Sequence, residues 1–297
     1  MKLFYAKTLS LVGIILFFSC RQKLSLPTAK DGKSLLWEVS GNGLKVPSYF
    51  YGTMHLMCAE DAVLSKNVLR IMKHVKSIYL EVDLDNAGEL LSGMMDFSMK
   101  NDQQLSDLLD EEEYEKVKMF FEKYQPNLPF SMLERQHPLM LSSSLYELFL
   151  PCEKKNGIEL RIVDEAYRLK KETKGLETLA FQSSIFDSIP YGQQAKELVK
   201  TIDSIGKFRQ SMDEMLAVYK SQDLNKLQEL TMHDDSGVSA HIDLLLYNRN
   251  RNWVNQFDTI AHTTPTLFAI GAGHLGGDQG ILDLLIKKGY SVRAIEN

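Results

Sequence analysis

TLFAIGAGH (residues 266–274) joins an apolar, β-rich segment to a short glycine-containing loop that ends at His274. YFYGTMH (residues 49–55) repeats this GxxH pattern near the start of the chain and ends at His55. Each histidine is therefore expected just past the carboxyl end of a strand, which is the edge where open α/β sheets bind ligands. A single GxxH motif is also compatible with an ordinary loop histidine. The repeat in matching context favours two histidines that converge on one metal ion or one substrate.

The glycines of the two motifs are Gly52 and Gly271. A glycine three residues before each histidine permits a tight turn and allows another group to approach the backbone closely. We therefore expect both glycines to support the site.

The remaining pattern predicts an α/β fold, with a mixed, largely parallel sheet and flanking helices. Residues 35–39 and 47–51 read as two strands joined by a turn, and residues 77–84 alternate as a third strand. Residues 266–297 read as strand, glycine-rich loop, helix and strand, a βαβ unit whose two strands should be parallel.

The middle of the chain is predicted to be mostly helical, with a helical insertion at about residues 87–155. Helical spacing returns over residues 193–232. Residues 159–164 read as a strand that ends in an acid, Asp164, followed by a helix over residues 166–171.

The N-terminus predicts export. A basic start and an apolar run over residues 9–18 resemble a signal peptide, and Ser19-Cys20 follows at once. This arrangement resembles a bacterial lipobox, with Phe17 where leucine is usual, and predicts removal of residues 1–19 and lipid attachment at Cys20. The alternative is a plain secretory signal in which Cys20 is incidental. Residues 20–33 are polar and read as a tether to a domain at residues 34–297, which places the chain in the cell envelope, anchored to the membrane by lipid.

Composition excludes some classes of function. The 297 residues carry a net charge of −5, and 44% of them are apolar, which is ordinary for a globular protein and gives no basic surface for nucleic acid. Besides Cys20, only Cys58 and Cys152 remain. They could pair in an oxidising compartment or stay as buried thiols, and the sequence does not decide between these states.

Two charged residues stand out from their surroundings. Arg249 lies on the apolar stripe of a predicted helix, between Leu246 and Trp253. A guanidinium there needs an anionic partner, because an unpaired buried charge is very costly, although it could also reach solvent past the stripe. Glu81 lies on a predicted strand, where it could simply face solvent or act together with the histidines.

Taken together, these motifs resemble the TraB/GumN family over residues 34 to the end. The segments that carry the resemblance are LWEV (residues 36–39), GTMH (52–55), YLEVD (79–83), GLET (175–178) with Gln182, RN (249–250) and GAGHL (271–275). The family includes the Tiki-type membrane metalloproteases and is distantly similar to erythromycin esterases and to a haem-uptake lipoprotein group. The segment RQHP at residues 135–138 departs from the family pattern.

The resemblance implies an active centre built from His55, His274 and Glu81, with Asp164 and Glu177 at further matching positions. Two imidazoles and one carboxylate form the ligand set of a catalytic divalent site, and the family implies manganese, cobalt or zinc. Arg249 would stabilise the developing oxyanion or hold a substrate carboxylate. The sequence thus predicts a metal-dependent hydrolase of peptides or small molecules, most simply a peptidase.

Other functions remain open. A metal-free, esterase-like hydrolase would use His55 or His274 as general base, oriented by Glu81. A non-enzymatic envelope lipoprotein would capture haem or a peptide with the same histidines. The glycines at 271, 273 and 276 also satisfy the GxGxxG dinucleotide pattern, with Glu296 on the next strand, but too few strands follow for a nucleotide-binding half-domain.

Overall fold

The protein is described from a computed structural model, which covers residues 33–88, 97–233 and 239–297 together with residues 24, 26, 27, 29, 91 and 93. The predicted signal peptide at residues 1–19 and the lipid-attachment residue Cys20 lie outside the described residues. Within the described part of the chain, no helix combines the length and the apolar character needed to cross a bilayer.

The strands, numbered in chain order, are β1 (Leu36–Gly41), β2 (Ser48–Thr53), β3 (Met57–Cys58), β4 (Ser77–Val82), β5 (Lys155–Asn156), β6 (Thr173–Glu177), β7 (Thr266–Gly271) and β8 (Tyr290–Ile295). Six of these described strands form one sheet in the order β6–β4–β7–β2–β1–β8. Neighbours from β6 to β2 are parallel, whereas β1 runs antiparallel to both β2 and β8. The predicted mixed, largely parallel sheet is confirmed.

The hairpin between β1 and β2 turns where the sequence indicates. Gly41, Asn42 and Gly43 all have positive φ angles, of 81°, 42° and 83°, a region that glycine and asparagine enter at low cost. Because β1 pairs with β8 along its whole length, the hairpin lies between the two strands of the C-terminal βαβ unit. Those strands are parallel, as predicted, but β2 and β1 separate them.

The described α-helices are α1 (Lys66–His74), α2 (Leu105–Leu108), α3 (Glu111–Tyr124), α4 (Phe130–Leu133), α5 (Pro138–Phe149), α6 (Ile158–Arg168), α7 (Leu179–Asp187), α8 (Tyr191–Asp203), α9 (Ile205–Lys220), α10 (Leu224–Met232), α11 (Asn248–Thr263) and α12 (Ile281–Lys287). A π-helical turn, Asp243–Tyr247, leads directly into α11. The continuous helical stretch predicted for residues 193–232 is thus three helices, α8 to α10.

Buried side chains form two hydrophobic clusters. In the first, α11 packs on the sheet: the Phe257 ring lies 5.5 Å from Phe50 and 5.3 Å from Phe268, which stack on each other at 4.9 Å. The second cluster joins α2–α5 to α8 through fully buried residues such as Phe121 and Leu198. The helical layer thus has a core of its own, and it can lie over the sheet edge without drawing on the core of the sheet.

Helix α6 corrects one prediction. Residues 159–164, read from their alternation as a strand, belong to a helix that starts directly after Gly157. Ile158, Ile162 and Ala166 are its buried residues at four-residue spacing, which is the helical period. Asp164 therefore lies on an exposed helix face, not at a strand end, and takes no part in the sheet-edge cluster.

A disulfide joins Cys58 to Cys152, which resolves the choice that the sequence leaves open. Next to it, β3 pairs with β5 in a two-stranded ladder, and the Ile158 N–H donates to the Met54 carbonyl at 3.1 Å. These three links hold the start of α6 against the loop that carries His55.

Candidate functional site

Three adjacent parallel strands bring the predicted residues together. Strand β7 lies between β4, which carries Glu81, and β2, which leads to His55. The two GxxH motifs lie side by side, with Thr53 paired to Gly271 and Gly52 paired to Ile270. Parallel strands end at the same sheet edge, so the three functional side chains meet there.

Glu81 is the point on which the histidines converge. Its Oε1 atom lies 3.8 Å from His274 Nε2 and 4.0 Å from His55 Nε2 and accepts the Gly271 N–H at 2.8 Å. Its Oε2 atom accepts from Arg249 at 2.7 Å and from Gln182 at 3.3 Å. Burial opposes ionisation, but these cationic and N–H neighbours outweigh it and hold the pKa of Glu81 well below its usual range.

His55 is an exposed histidine with a carboxylate partner. Its side chain is 68% exposed, and its Nδ1 lies 2.6 Å from Glu159 Oε1, which also accepts the Thr53 hydroxyl at 2.5 Å. The Glu159 charge, more than the opposing desolvation, raises the pKa of His55 to about 9. Burial opposes ionisation of Glu159 as well, yet His55 and the Thr53 hydroxyl hold its pKa below the usual range.

His274 is a buried histidine with an amide partner. Its side chain is 5% exposed, its ring lies 4.4 Å from the Trp253 ring, and its Nδ1 lies 2.6 Å from Asn250 Oδ1. The Asn250 amide also donates to the Gln279 carbonyl, which fixes its orientation. Burial, assisted by the charges of Arg249 and His55, lowers the pKa of His274 to about 3, so this ring is neutral at physiological pH.

Arg249 has the anionic partners that its place on an apolar stripe requires. Its guanidinium lies 2.7 Å from Glu81 Oε2 and 2.9 Å from Glu177 Oε2, and another N–H donates to the Leu245 carbonyl. Its Nη1 faces His274 Nε2 at 3.3 Å, and the guanidinium carbon lies 4.7 Å from the Trp253 ring centre. These bonds position Glu81. The oxyanion role of Arg249 stays a prediction.

The two motif glycines provide space for close approach, and neither has a positive φ. A Cβ on Gly271 would lie 3.1 Å from Glu81 Oε1 and 3.4 Å from His55 Nε2, inside the cluster itself. A Cβ on Gly52 would lie 2.9 Å from Leu275 Cδ1. Any larger residue at Gly271 would thus intrude between the three functional groups.

The cluster forms the floor of a cleft of about 500 Å³. Helices of the layer above the sheet edge form its walls, together with the π-helical turn. Wall residues include Tyr146, Phe208, Met212 and Met215. A polar, charged floor beneath apolar walls is the usual composition of a small-molecule or peptide site.

Comparison with known proteins places this arrangement in a family. The family described as TraB/PrgY/gumN matches residues 35–294, a range that contains both GxxH motifs, Glu81, Glu177 and Arg249. The chain belongs to the TraB/PrgY/gumN family. No solved structure matches the chain.

Among curated relatives of this family member are two vertebrate metalloproteases. The chain is 23% identical to Metalloprotease TIKI2 of Danio rerio over an alignment of 327 positions, which covers 92% of this chain and 63% of that protein. It is 22% identical to Metalloprotease TIKI1 of Homo sapiens over an alignment of 321 positions, which covers 90% of this chain and 63% of the relative. The chain therefore spans somewhat less than two thirds of the length of these relatives.

The donor chemistry suits a divalent ion. Both histidines direct Nδ1 to an oxygen, and both turn Nε2 toward one carboxylate oxygen, which is the orientation that oxygen partners impose on metal-binding histidines. The separations of 3.8 and 4.0 Å are too long for hydrogen bonds. Among the described residues, no three His, Cys, Asp or Glu side chains form a ready-made metal cluster. A metal ion would have to displace the proton of His55 and the Arg249 N–H that faces His274 Nε2 before it could bind both rings.

Two site residues escape prediction from the sequence, and one expectation fails. Glu159 and Asn250 hold the two histidines, yet the alternation of residues 159–164 predicts a strand there, and Asn250 stands out only as part of a family motif. A helical reading of α6 would place Glu159 in its first turn, one turn before Ile162. Glu177 lies behind Arg249, as expected of a neighbour to the site, whereas Asp164 is exposed on α6.

Proposed function

We propose that this chain is an exported, lipid-anchored, divalent-metal hydrolase that cleaves peptides. The observation that carries the proposal is the convergence of His55 Nε2 and His274 Nε2 on Glu81 Oε1, at 4.0 and 3.8 Å, on the floor of an apolar cleft. The similarity to two metalloproteases supports the reaction class, although it rests on 22–23% identity.

In this proposal His55, Glu81 and His274 hold the ion. When bound, a divalent ion such as manganese, cobalt or zinc would supply a Lewis acid that polarises a carbonyl oxygen and acidifies water. Glu159 and Asn250 keep the two Nε2 lone pairs turned toward Glu81, while Arg249 holds the second carboxylate oxygen and offers positive charge at the floor. Since His55 must lose its proton to bind, affinity should increase as the pH rises towards about 9.

The metal-free alternative is less well supported. A general base must be unprotonated at the working pH, but the Glu159 charge raises the pKa of His55 to about 9. His274 is neutral, yet its Nε2 faces the Arg249 N–H at 3.3 Å, which makes it a poor proton acceptor. A metal ion would meet the same two competitors, so it is the similarity to metalloproteases that favours the metal-linked role.

Export and anchoring rest on the N-terminal pattern and on the Cys58–Cys152 disulfide, since disulfides persist mainly in oxidising compartments outside the cytosol. Intact-mass analysis of protein from membranes should show loss of residues 1–19 and acylation of Cys20. An unmodified Cys20 would remove the anchoring part of the proposal.

The enzymatic part is tested with purified protein loaded in turn with Mn²⁺, Co²⁺ or Zn²⁺ and incubated with a peptide library. We expect cleavage that a chelator abolishes and metal restores, and that Glu81→Gln eliminates. Asp164→Asn is the matched control, because this exposed α6 residue should be dispensable. Stoichiometric uptake of haem or peptide without turnover would instead identify a binding lipoprotein.

A further inference from the structure

The walls of the cleft are uncharged wherever the structure describes them. Among the described lining residues, every charged side chain belongs to the floor, while the walls contribute leucine, methionine, phenylalanine, tyrosine, serine and threonine. A charged substrate side chain entering between these walls would lose its hydration without gaining an ionic partner, which is a costly transfer. An aliphatic or aromatic side chain would gain the free energy of apolar burial there.

The charged groups of the floor are already paired with one another. Arg249 contacts Glu81 and Glu177, and His55 contacts Glu159. In the metal-free protein, a free substrate carboxylate or α-ammonium group would therefore have to displace one of these internal pairs. This disfavours recognition of either chain terminus, and it argues against the expectation that Arg249 holds a substrate carboxylate.

Three methionines are among the apolar residues that line the cleft. Met54, Met212 and Met215 all line the cleft, and the Tyr146 hydroxyl contacts the Met54 sulfur at 3.8 Å. Methionine is unbranched and polarisable, so surfaces built from it adapt to apolar groups of different shape. The walls should thus select for apolar character more than for one particular side chain.

From these features we infer that the cleft takes internal peptide segments with a bulky aliphatic or aromatic residue beside the scissile amide, and that it rejects acidic residues and free chain termini there. This specificity rests on the proposed peptidase function, but it is a property of binding and can be measured without turnover.

The test uses chelator-treated protein and fluorescent hexapeptides that are acetylated and amidated at their ends. We expect a Leu/Phe-containing peptide to bind at least about tenfold more tightly than its Glu-substituted counterpart, a discrimination within reach of hydrophobic pockets. Freeing the C-terminal carboxylate should not tighten binding. Equal affinity for apolar and acidic peptides, or tenfold tighter binding of the free carboxylate, would overturn the inference.

A second experiment places a charged side chain on the wall of the cleft. Met212→Lys should shift the apolar-to-acidic preference at least about tenfold toward the acidic peptide. Met119→Lys, on an exposed position of α3 that does not line the cleft, should leave the ratio unchanged. Equal effects of both variants would contradict the wall assignment.

Turnover separates this inference from the proposed function. Apolar preference in binding without metal-dependent cleavage would leave the specificity standing and refute the peptidase. Metal-dependent cleavage that does not depend on the flanking side chains would support the peptidase and refute the specificity.

Discussion

The two GxxH loops present the same ring atom in opposite surroundings. The His55 side chain is 68% exposed, and its Nδ1 contacts the Glu159 carboxylate. The His274 side chain is 5% exposed, and its Nδ1 contacts the neutral Asn250 amide. Their pKa values consequently move apart, to about 9 for His55 and about 3 for His274. What the loops share is geometry, since both turn Nε2 toward Glu81 Oε1.

This difference shows that orientation and protonation are set independently. The oxygen partner on Nδ1 orients each ring, while the charge of that partner and the burial of the ring decide where the proton resides. Pairs of titratable groups whose pKa values are pushed apart are typical of catalytic sites. In the proposed metal site, His274 would offer a neutral ring whose Nε2 also faces the Arg249 N–H, whereas His55 would bind the ion in competition with a proton.

Removal of either imidazole is the most severe test. We expect His55→Ala and His274→Ala each to lower divalent-metal affinity by more than about 100-fold, beyond the loss typical of a supporting residue. Isothermal titration with Mn²⁺ or Zn²⁺ measures this directly. Retention of wild-type affinity by either variant would remove that histidine from the ligand set.

The variants His274→Ala and His55→Ala should also differ in their free energy of unfolding. His274→Ala leaves a cavity against Trp253 and removes the partner of Asn250 Oδ1, so we expect a loss of about 2–3 kcal/mol in the free energy of unfolding. His55→Ala should cost less, since water can reach Glu159 through the space left by an exposed ring. Denaturant unfolding provides the comparison, and equal losses would mean that the burial difference has no energetic consequence.

The disulfide supports only one of the two loops. Cys58 and Cys152 are 94 residues apart, and closing a loop of that length stabilises a fold by about 4.7 kcal/mol on the chain-entropy model. We expect the double variant Cys58→Ser/Cys152→Ser to unfold at markedly lower denaturant concentration, and in the folded protein to loosen the His55 loop while His274 stays fixed. Amide hydrogen exchange resolves the two loops, and equal deprotection of both would contradict this prediction.

Gly271 tests how closely the loops approach each other. Gly271→Ala places a methyl group 3.1 Å from Glu81 Oε1 and 3.4 Å from His55 Nε2, so we expect about a tenfold loss of metal affinity, as for disturbed supporting residues. Gly273→Ala is the matched control, because its Cβ would meet nothing within 4 Å. Equal affinities of the two variants would show that the cluster is looser than the distances indicate.

Exchanging the partners should bring the two pKa values toward each other. Glu159→Gln removes the charge beside His55, and its pKa should fall from about 9 toward 6.5. Asn250→Asp adds a carboxylate beside His274, and its pKa should rise above about 3. NMR titration of the ring protons follows both residues, and unchanged values would assign the difference to burial alone.

The sign of the pH dependence follows from these shifts. The raised pKa of His55 stabilises the fold fully below about 6.5, and this contribution is lost as the pH rises through about 9. The lowered pKa of His274 stabilises the fold above about 6.5, and this contribution is lost as the pH falls toward 3. Glu159→Gln should therefore flatten the alkaline limb of the stability curve. It should also remove the smaller acid-side contribution of Glu159 itself, whose pKa is held below its usual range.

The sequence predicted those parts of the site that local pattern determines. The GxxH repeat in its strand context predicts that His55 and His274 meet at one sheet edge, and the position of Arg249 on an apolar stripe predicts its anionic partners. Glu81 joins the two histidines only through the family resemblance. The residues that contact the Nδ1 atoms of the two histidines could not be predicted in the same way. The segment that contains Glu159 is ambiguous, because six residues can satisfy both strand alternation and helical spacing, and only packing against the sheet decides between them.

Contacts between segments far apart in the chain cannot be predicted from local sequence patterns. The Cys58–Cys152 pairing depends on a tertiary distance, and the apolar walls come from helices whose position over the sheet edge no local signal encodes. The sequence predicts that helices cover the sheet edge, but only the structure shows which of their side chains face the cleft.

The central claim is that His55, Glu81 and His274 share one ion. A crystal of the protein soaked in Mn²⁺ and measured at a wavelength with strong manganese anomalous scattering tests it most directly. We expect a single strong anomalous peak within bonding distance of His55 Nε2, His274 Nε2 and a Glu81 carboxylate oxygen, and no such peak in Glu81→Gln. A peak elsewhere, or none at all with the three groups still converging, would contradict the account.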